Sequence, residues 1–118
     1  RGFIFGSALA FELGLGIIPL RKKGKLPGKT ISEEYKLEYG IDTLEIHIDA
    51  VNKDELIVLI DDLIATGGTA LASINLIKRL GGIIYKSAFI IDLPELNGRK
   101  LLEKNGVDTL SLIEFQGH

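Results

Sequence analysis

The sequence predicts an α/β fold built around a parallel sheet, and three observations carry that expectation. "LIVLI", residues 56–60, is a continuous apolar run, the pattern of a strand covered on both faces. "TALASINLIKRLGG" then spaces its apolar residues as a helix does, with Thr69 near its start and Gly81-Gly82 to end it. A second buried strand, "IYKSAFIIDL", follows, then a short helix in "ELNGRKLLEKNG" and a last strand in "VDTLSLIEF". Strand, helix, strand, helix, strand is the order that a parallel sheet requires.

The elements before Leu56 are shorter. Gly2 to Gly6 reads as a glycine-bounded opening, and "SALAFELG" as a short helix with Ser7 as cap, Leu9, Ala10 and Leu13 at helical spacing, and Gly14 as its stop. "IIPL" reads as a brief strand leading into the basic, glycine-punctuated loop "RKKGKLPGKT". "SEEYKLEYG" and "IDTLEIHIDA" predict two strands of a hairpin turning at Gly40-Ile41-Asp42. In the second strand Leu44, Ile46 and Ile48 alternate against Glu45, His47 and Asp49. His47 falls on the polar side of that alternation and is read as a surface residue.

Composition bounds the possibilities. The chain's 118 residues suffice for one domain, 1–118, with 46% hydrophobic and 25% charged residues, an ordinary globular balance. A net charge of -2 argues against a nucleic-acid partner, which calls for a basic excess. The absence of cysteine fits a reducing compartment. No apolar run approaches the roughly 18 residues of a membrane span, and no signal peptide opens the chain. A cytoplasmic location is expected, without membrane contact. There is no methionine, so residue 1 is not expected to be a natural start, and the chain reads as processed, trimmed or a fragment.

The chemistry concentrates in "LIVLIDDLIATGGTA". Neighbouring carboxylates repel and lose solvation when buried, so Asp61 and Asp62 need a use. In a parallel sheet, ligands bind beyond the carboxyl ends of the strands, where Asp61 to Gly68 is expected to form a loop. Backbone amides of Ala65, Thr66, Gly67, Gly68 and Thr69, ahead of a helix, can converge on an anion. The two glycines allow close approach and the two threonines add hydroxyl donors. A phosphate fits that nest. The acid pair would repel the phosphate, and suits the adjacent hydroxyls of a sugar. Diol plus phosphate describes a ribose 5-phosphate. Taken alone, Asp-Asp or Gly-Gly would be mere punctuation of a strand end or a turn; it is their joint pattern that points to a ligand. "GLG" at residues 14–16 lacks the third glycine of a dinucleotide fingerprint, and no Gly-Lys-Ser/Thr of a P-loop exists.

"VLIDDLIATGGTA" resembles the phosphoribosyl-diphosphate motif of type I phosphoribosyltransferases. "RGFIFG", "RKKGKLPGKT" and "LEYGIDTLEIHIDA" are similar to the adenine phosphoribosyltransferases in particular. The likeness runs through essentially the whole chain, with the family's amino-terminal segment, which supplies an early strand and much of the hood over the base, missing ahead of Arg1. It implies the type I phosphoribosyltransferase fold: a Rossmann-like, mainly parallel sheet flanked by helices, with a flexible β-hairpin over the active site. It further implies a purine-salvage reaction, adenine plus phosphoribosyl diphosphate giving AMP plus diphosphate, with Mg2+ and a homodimer.

The resemblance also distributes roles. Charge growing on the departing diphosphate falls to Arg1, Arg21, Lys22 and Lys25, with Arg21 serving a neighbouring subunit. An isolated basic run would otherwise be a solvated loop. Glu38 handles the proton of the base, and Tyr39 beside it excludes water when the hairpin closes. Leu93 packs on the adenine ring, with Ile64 as a nearby candidate. Magnesium prefers oxygen and retains water, so substrate oxygens are expected to hold it rather than a protein cage. Two alternatives stand beside this reading: a non-catalytic nucleotide-binding regulatory module, which would need Asp61, Asp62 and the nest but not Glu38, and a transferase for another purine.

Overall fold

The computed structural model describes residues 1–37 and 39–116. The element order is α1 (Gly2–Leu13), β1 (Arg21–Lys22), β2 (Thr30–Leu37), β3 (Gly40–His47), β4 (Leu56–Ile64), α2 (Gly68–Arg79), β5 (Ile83–Asp92), a 3-10 turn (Pro94–Leu96), α3 (Gly98–Lys104) and β6 (Thr109–Glu114). The α/β architecture is as expected: β4, β5 and β6 form a parallel sheet in that order. β1, β3 and β2 form a separate antiparallel sheet with β3 in the middle.

Helix α2 lies against both sheets. Ala72, Leu76 and Ile77 pack with Tyr35, Leu44, Ile46 and Val51 of the antiparallel side. Ala70 and Ile74 pack with Leu59, Ile64 and Phe89 of the parallel sheet and with Leu102 and Val107. The helix therefore buries two stripes, offset by about two residues or roughly 200° around its axis. At its far end the Arg79 guanidinium donates to Ser32 O and to Glu33 Oε1, and Asn75 Nδ2 donates to Glu33 Oε2 at 3.3 Å. These contacts fasten β2 along the helix.

Several local expectations are corrected. Helix α1 starts at Gly2, not Ser7. A Cβ at Gly2 would stand 2.4 Å from Asp61 Oδ1 and 2.7 Å from its Cα, so that glycine serves close packing of the helix on β4 rather than a turn. The helix does stop at Gly14, left-handed at φ 68°. Ile17 to Leu20 form no strand. Pro19 has no N–H for a ladder, and Ile18 and Leu20 pack onto the core as irregular chain instead. The hairpin pairs Leu37 with Gly40, and Tyr35 with Asp42, so Ile41 and Asp42 lie inside β3 rather than in the turn. Asp42 is held there by Lys22 Nζ at 3.0 Å, which makes an acid acceptable within a strand. Leu44 and Ile46 are buried as predicted, whereas Ile48 lies past the strand end and is exposed.

Candidate functional site

The acid pair is not in a loop. β4 continues through Asp61 and Asp62 to Ile64, because its ladder with β5 runs on, with Asp61 opposite Phe89 and Ile64 opposite Asp92. Successive strand side chains leave opposite faces, so the two carboxylates diverge. Asp61 lines a pocket of about 130 Å³ together with Leu63, Ile64 and residues 65–70. Asp62 is not among that lining. Its Oδ2 stands 3.4 Å from Arg1 Nε.

Burial pushes the Asp61 carboxyl above the usual carboxylate range. The Asp62 N–H, donating to Asp61 Oδ1 at 2.9 Å, works against the shift, and the neighbouring Asp62 carboxylate adds to it. A buried carboxyl of this kind gains from any hydroxyl donor that replaces the water it has lost.

The opposite wall is the start of α2. Gly67 caps it with φ 89° and ψ 0°, a left-handed conformation that glycine adopts without strain, and no side chain caps the first turn. Leu71 N–H donates to Gly67 O at 2.8 Å, which begins the helical ladder. The carbonyls just upstream are already engaged: Leu93 N–H donates to Ile64 O and Gly98 N–H to Ala65 O, both at 3.0 Å. With these carbonyls bonded by Leu93 and Gly98, the segment leads into the positive end of a helix of 12 residues, whose start lines the pocket.

Gly98, which the sequence reading passed over, braces this arrangement. A Cβ there would meet Ala65 O at 2.4 Å, Ile64 Cγ1 at 2.8 Å and Gly67 N at 2.9 Å. Only glycine lets the start of α3 approach so closely. The clue in the sequence was Asn97-Gly98, a pair that suits a turn; Asn97 is left-handed at φ 62°. Asp92, at the end of β5, was also missed. It is 1% exposed and its Oδ1 has no partner among the described residues. Burial raises its pKa, opposed by the Arg99 charge.

The first turn of α1 gathers further residues. Arg1 reaches Asp62, Gly2 abuts Asp61, and the Arg21 guanidinium lies 5.8 Å from the centroid of the Phe3 ring. Arg1 and Arg21 thus stand at the same end of α1 as the acid pair. Lys22 is committed to Asp42, whose carboxylate bond is the main reason its pKa is raised. Lys25 is exposed and makes no ion pair among the described residues. Leu93 follows β5 directly and touches the site through its amide, without lining the pocket. Ile64 is buried in the core and contributes to the pocket wall. Tyr39 is 94% exposed at the hairpin end and is not part of the pocket. Glu38 lies outside the described residues. Among the described residues no group of three or more His, Asp or Glu is close enough to hold a metal ion, and no helix is long and apolar enough to cross a membrane.

No family model matches the chain. Comparison with individual proteins is decisive. The adenine phosphoribosyltransferase of Parvibaculum lavamentivorans is 60% identical over 118 residues, covering all of this chain and 67% of that protein. The crystal structure of adenine phosphoribosyltransferase from Thermoanaerobacter pseudethanolicus superposes with a TM-score of 0.92 at 53% identity, over 98% of this chain and 66% of that one. The Trypanosoma brucei adenine phosphoribosyl transferase, solved in complex with AMP, pyrophosphate and ribose-5-phosphate, gives 0.88 at 32% identity over 97% of this chain and 52% of its own. The chain spans about two thirds of the length of the curated relatives it matches. With this identity over its full extent and the type I phosphoribosyltransferase fold in common, the chain belongs to the adenine phosphoribosyltransferase family.

Proposed function

We propose that the protein carrying this chain is an adenine phosphoribosyltransferase that forms AMP and diphosphate from adenine and phosphoribosyl diphosphate in purine salvage. The observation that carries this reading is the pocket at the carboxyl end of β4, with a half-buried acid on one wall and uncapped helix amides on the other. An anion and a diol fit those two walls, and they are the two ends of a ribose 5-phosphate.

In the reaction, N9 of adenine bonds to the anomeric carbon while the bond to the diphosphate oxygen breaks, its electrons leaving with the diphosphate. The N9 proton is lost. Positive charge develops on the sugar and negative charge on the leaving group, so holding both ends in register is the main catalytic task. The amides of residues 65–69 hold the 5-phosphate. Asp61, which lines the pocket, accepts from one ribose hydroxyl; for Asp62 to accept from the other, its carboxylate has to turn from the opposite face of β4 and exchange or share its contact with Arg1. Arg1, Arg21 and Lys25 face the diphosphate; Lys22 contributes least, because Asp42 already offsets its charge. Glu38 exchanges the proton of the base, and Tyr39 covers the reacting atoms. Leu93 and Ile64 supply apolar surface for adenine. Magnesium, where bound, would supply counter-charge to the diphosphate and would be held chiefly by substrate oxygens, since it prefers oxygen and retains water. The working form is a homodimer in the cytoplasm.

The test uses the full-length protein with phosphoribosyl diphosphate, magnesium and, in turn, adenine, hypoxanthine and guanine. AMP formation with adenine as the preferred base is expected. Binding of ribose 5-phosphate without turnover of any base would instead identify a regulatory module. Glu38→Gln retains the side-chain shape and loses proton exchange, so kcat should fall about 10²-fold with affinities little changed. A variant turning over at the parent rate would remove Glu38 from the proton's path.

A further inference from the structure

The basic loop between β1 and β2 is not a loose solvated run. It holds two left-handed glycines, Gly24 and Gly28, both at φ 82°, with nothing within 4 Å of where a Cβ would be. These glycines are therefore there for backbone shape and not for want of space. What fixes the shape is β3, the middle strand, which is paired on both sides: Glu45 stands opposite Arg21 of β1 and Ser32 of β2.

The Glu45 side chain ties the two ends of the loop together. Gly24 N–H donates to its Oε1 at 2.8 Å, and Thr30 Oγ1 donates to its Oε2 at 3.1 Å. Neither carboxylate oxygen pairs with a lysine or arginine among the described residues, although Lys22, Lys23, Lys25 and Lys29 are all in this segment. An acid placed to neutralise the loop would have taken one of those cations. Two residues along the strand, His47 Nε2 donates to Pro27 O at 2.9 Å, which fixes the tautomer because a carbonyl can only accept. Ile48 N–H donates to Lys29 O at 3.1 Å. The polar face of β3, read from sequence as surface, is a platform on which the loop is shaped.

We infer that Glu45 is a positioning residue for the diphosphate-binding loop: it bonds the backbone at one end and a hydroxyl at the other, and takes no ion pair with Lys25. The inference rests on the proposed reading of residues 21–30 as the diphosphate contact. A negative group in a cationic loop would ordinarily weaken anion binding. Because both oxygens are occupied by neutral donors that order the chain, the geometric gain outweighs the repulsion.

The experiment is steady-state kinetics on the full-length protein with adenine and phosphoribosyl diphosphate varied separately, for Glu45→Ala, Glu45→Gln, Thr30→Val and Lys25→Ala, with melting temperatures measured alongside. Glu45→Ala should raise KM for phosphoribosyl diphosphate about tenfold or more and leave KM for adenine within about twofold. Glu45→Gln should stay near the parent, because its oxygen accepts from Gly24 and its amide donates to the Thr30 hydroxyl, which can also accept. Thr30→Val removes one bond, should raise the same KM a few-fold, and serves as the test if Glu45→Ala does not fold. Lys25→Ala checks the underlying reading. If it raises KM for phosphoribosyl diphosphate while Glu45→Ala and Thr30→Val do not, the positioning role is wrong and the loop reading stands. If none of the variants changes that KM, the loop reading itself falls, and the inference with it. A lower KM in both Glu45→Ala and Glu45→Gln would show that the carboxylate acts only by repulsion, and would also overturn the inference. Loss of melting temperature with no change in KM would reduce Glu45 to a structural contact.

Discussion

Gly98→Ala is the sharpest perturbation of the proposed phosphate nest, because it changes no residue that lines the pocket. The added methyl would begin 2.4 Å from Ala65 O, where ordinary contact starts near 3.4 Å, and would also press on Ile64 Cγ1 and Gly67 N. Two of these three atoms are backbone, so no rotamer change relieves the clash. The loop must retreat by about 1 Å, and the bond from Gly98 N–H to Ala65 O stretches or breaks. Overpacking of this kind destabilises by about 1–3 kcal/mol, and a lost backbone hydrogen bond adds about 1 kcal/mol. The functional effect should be larger than the structural one. Misplacing a binding loop by 1 Å can reduce rate or affinity by about 10²-fold. The assay is urea unfolding together with calorimetric titration of ribose 5-phosphate and AMP. A variant as stable as the parent and binding ribose 5-phosphate with parental affinity would refute the bracing role.

Gly67→Val should abolish ribose 5-phosphate binding, because φ 89° is unfavourable for a β-branched residue and its Cβ would lie 3.0 Å from Gly98 O; a variant binding AMP normally would show the loop to be a turn only. Asp61→Asn should weaken ribose 5-phosphate binding by about 1.5–3 kcal/mol if the charged hydrogen bond to the sugar is real, and Asp62→Asn should do so less because it also frees Arg1; equal affinities in both variants and parent would sink the diol assignment. Asp92 has its pKa raised by burial above the ordinary 3.8, so the folded protein holds that proton more tightly than the unfolded chain. Its contribution is complete below pH 3.8 and is lost as pH rises through the folded value. Asp92→Asn should therefore raise stability at pH 7 relative to the parent and not at low pH, and unfolding curves at both pH values that moved together would contradict this.

Much of the molecule was legible from residue pattern because the carboxyl-terminal half consists of long apolar runs separated by clear helix signals. The continuous apolar sequence of "LIVLI" and "SAFIID" left few alternatives to parallel strands, but the coverage on both faces that it predicts does not hold: Leu56 and Val58 of β4 and Ile83 and Tyr85 of β5 are exposed. The connection of residues 65–69 between β4 and α2 was legible because its glycines and threonines fall between a clear strand and a clear helix. Asp61 and Asp62 were misplaced into a loop because charge normally punctuates a strand. Here the ladder to β5 and the close approach of Gly2 keep them in it, a tertiary effect that local sequence does not carry. The hairpin turn was misplaced in the same way. Gly40 and Asp42 look like turn residues until Lys22, from a different strand, gives the aspartate a partner. Gly98 and Glu45 escaped notice because their importance lies in contacts to residues 15 or more positions away.

The two sheets bear on one site through a single helix. The proposed nest runs into the first turn of α2, and the same turn meets the hairpin: a Cβ on Gly68 would stand 3.4 Å from Lys36 O and 3.7 Å from Tyr35 Cδ2. Farther along, Arg79 and Asn75 fasten β2 to the helix again through Glu33 and Ser32. A helix of 12 residues is about 18 Å of stiff rod, so two attachments along it fix the direction of β2 as well as its distance. β3 inherits that direction by pairing with β2, and the basic loop inherits it from β3 through Glu45 and His47. The proposed phosphate, hairpin and diphosphate elements are therefore all referenced to α2, although they belong to different sheets. That common reference explains why the helix is buried along two stripes: an amphipathic helix with one apolar face could have covered either sheet, but could not have held them in register with each other.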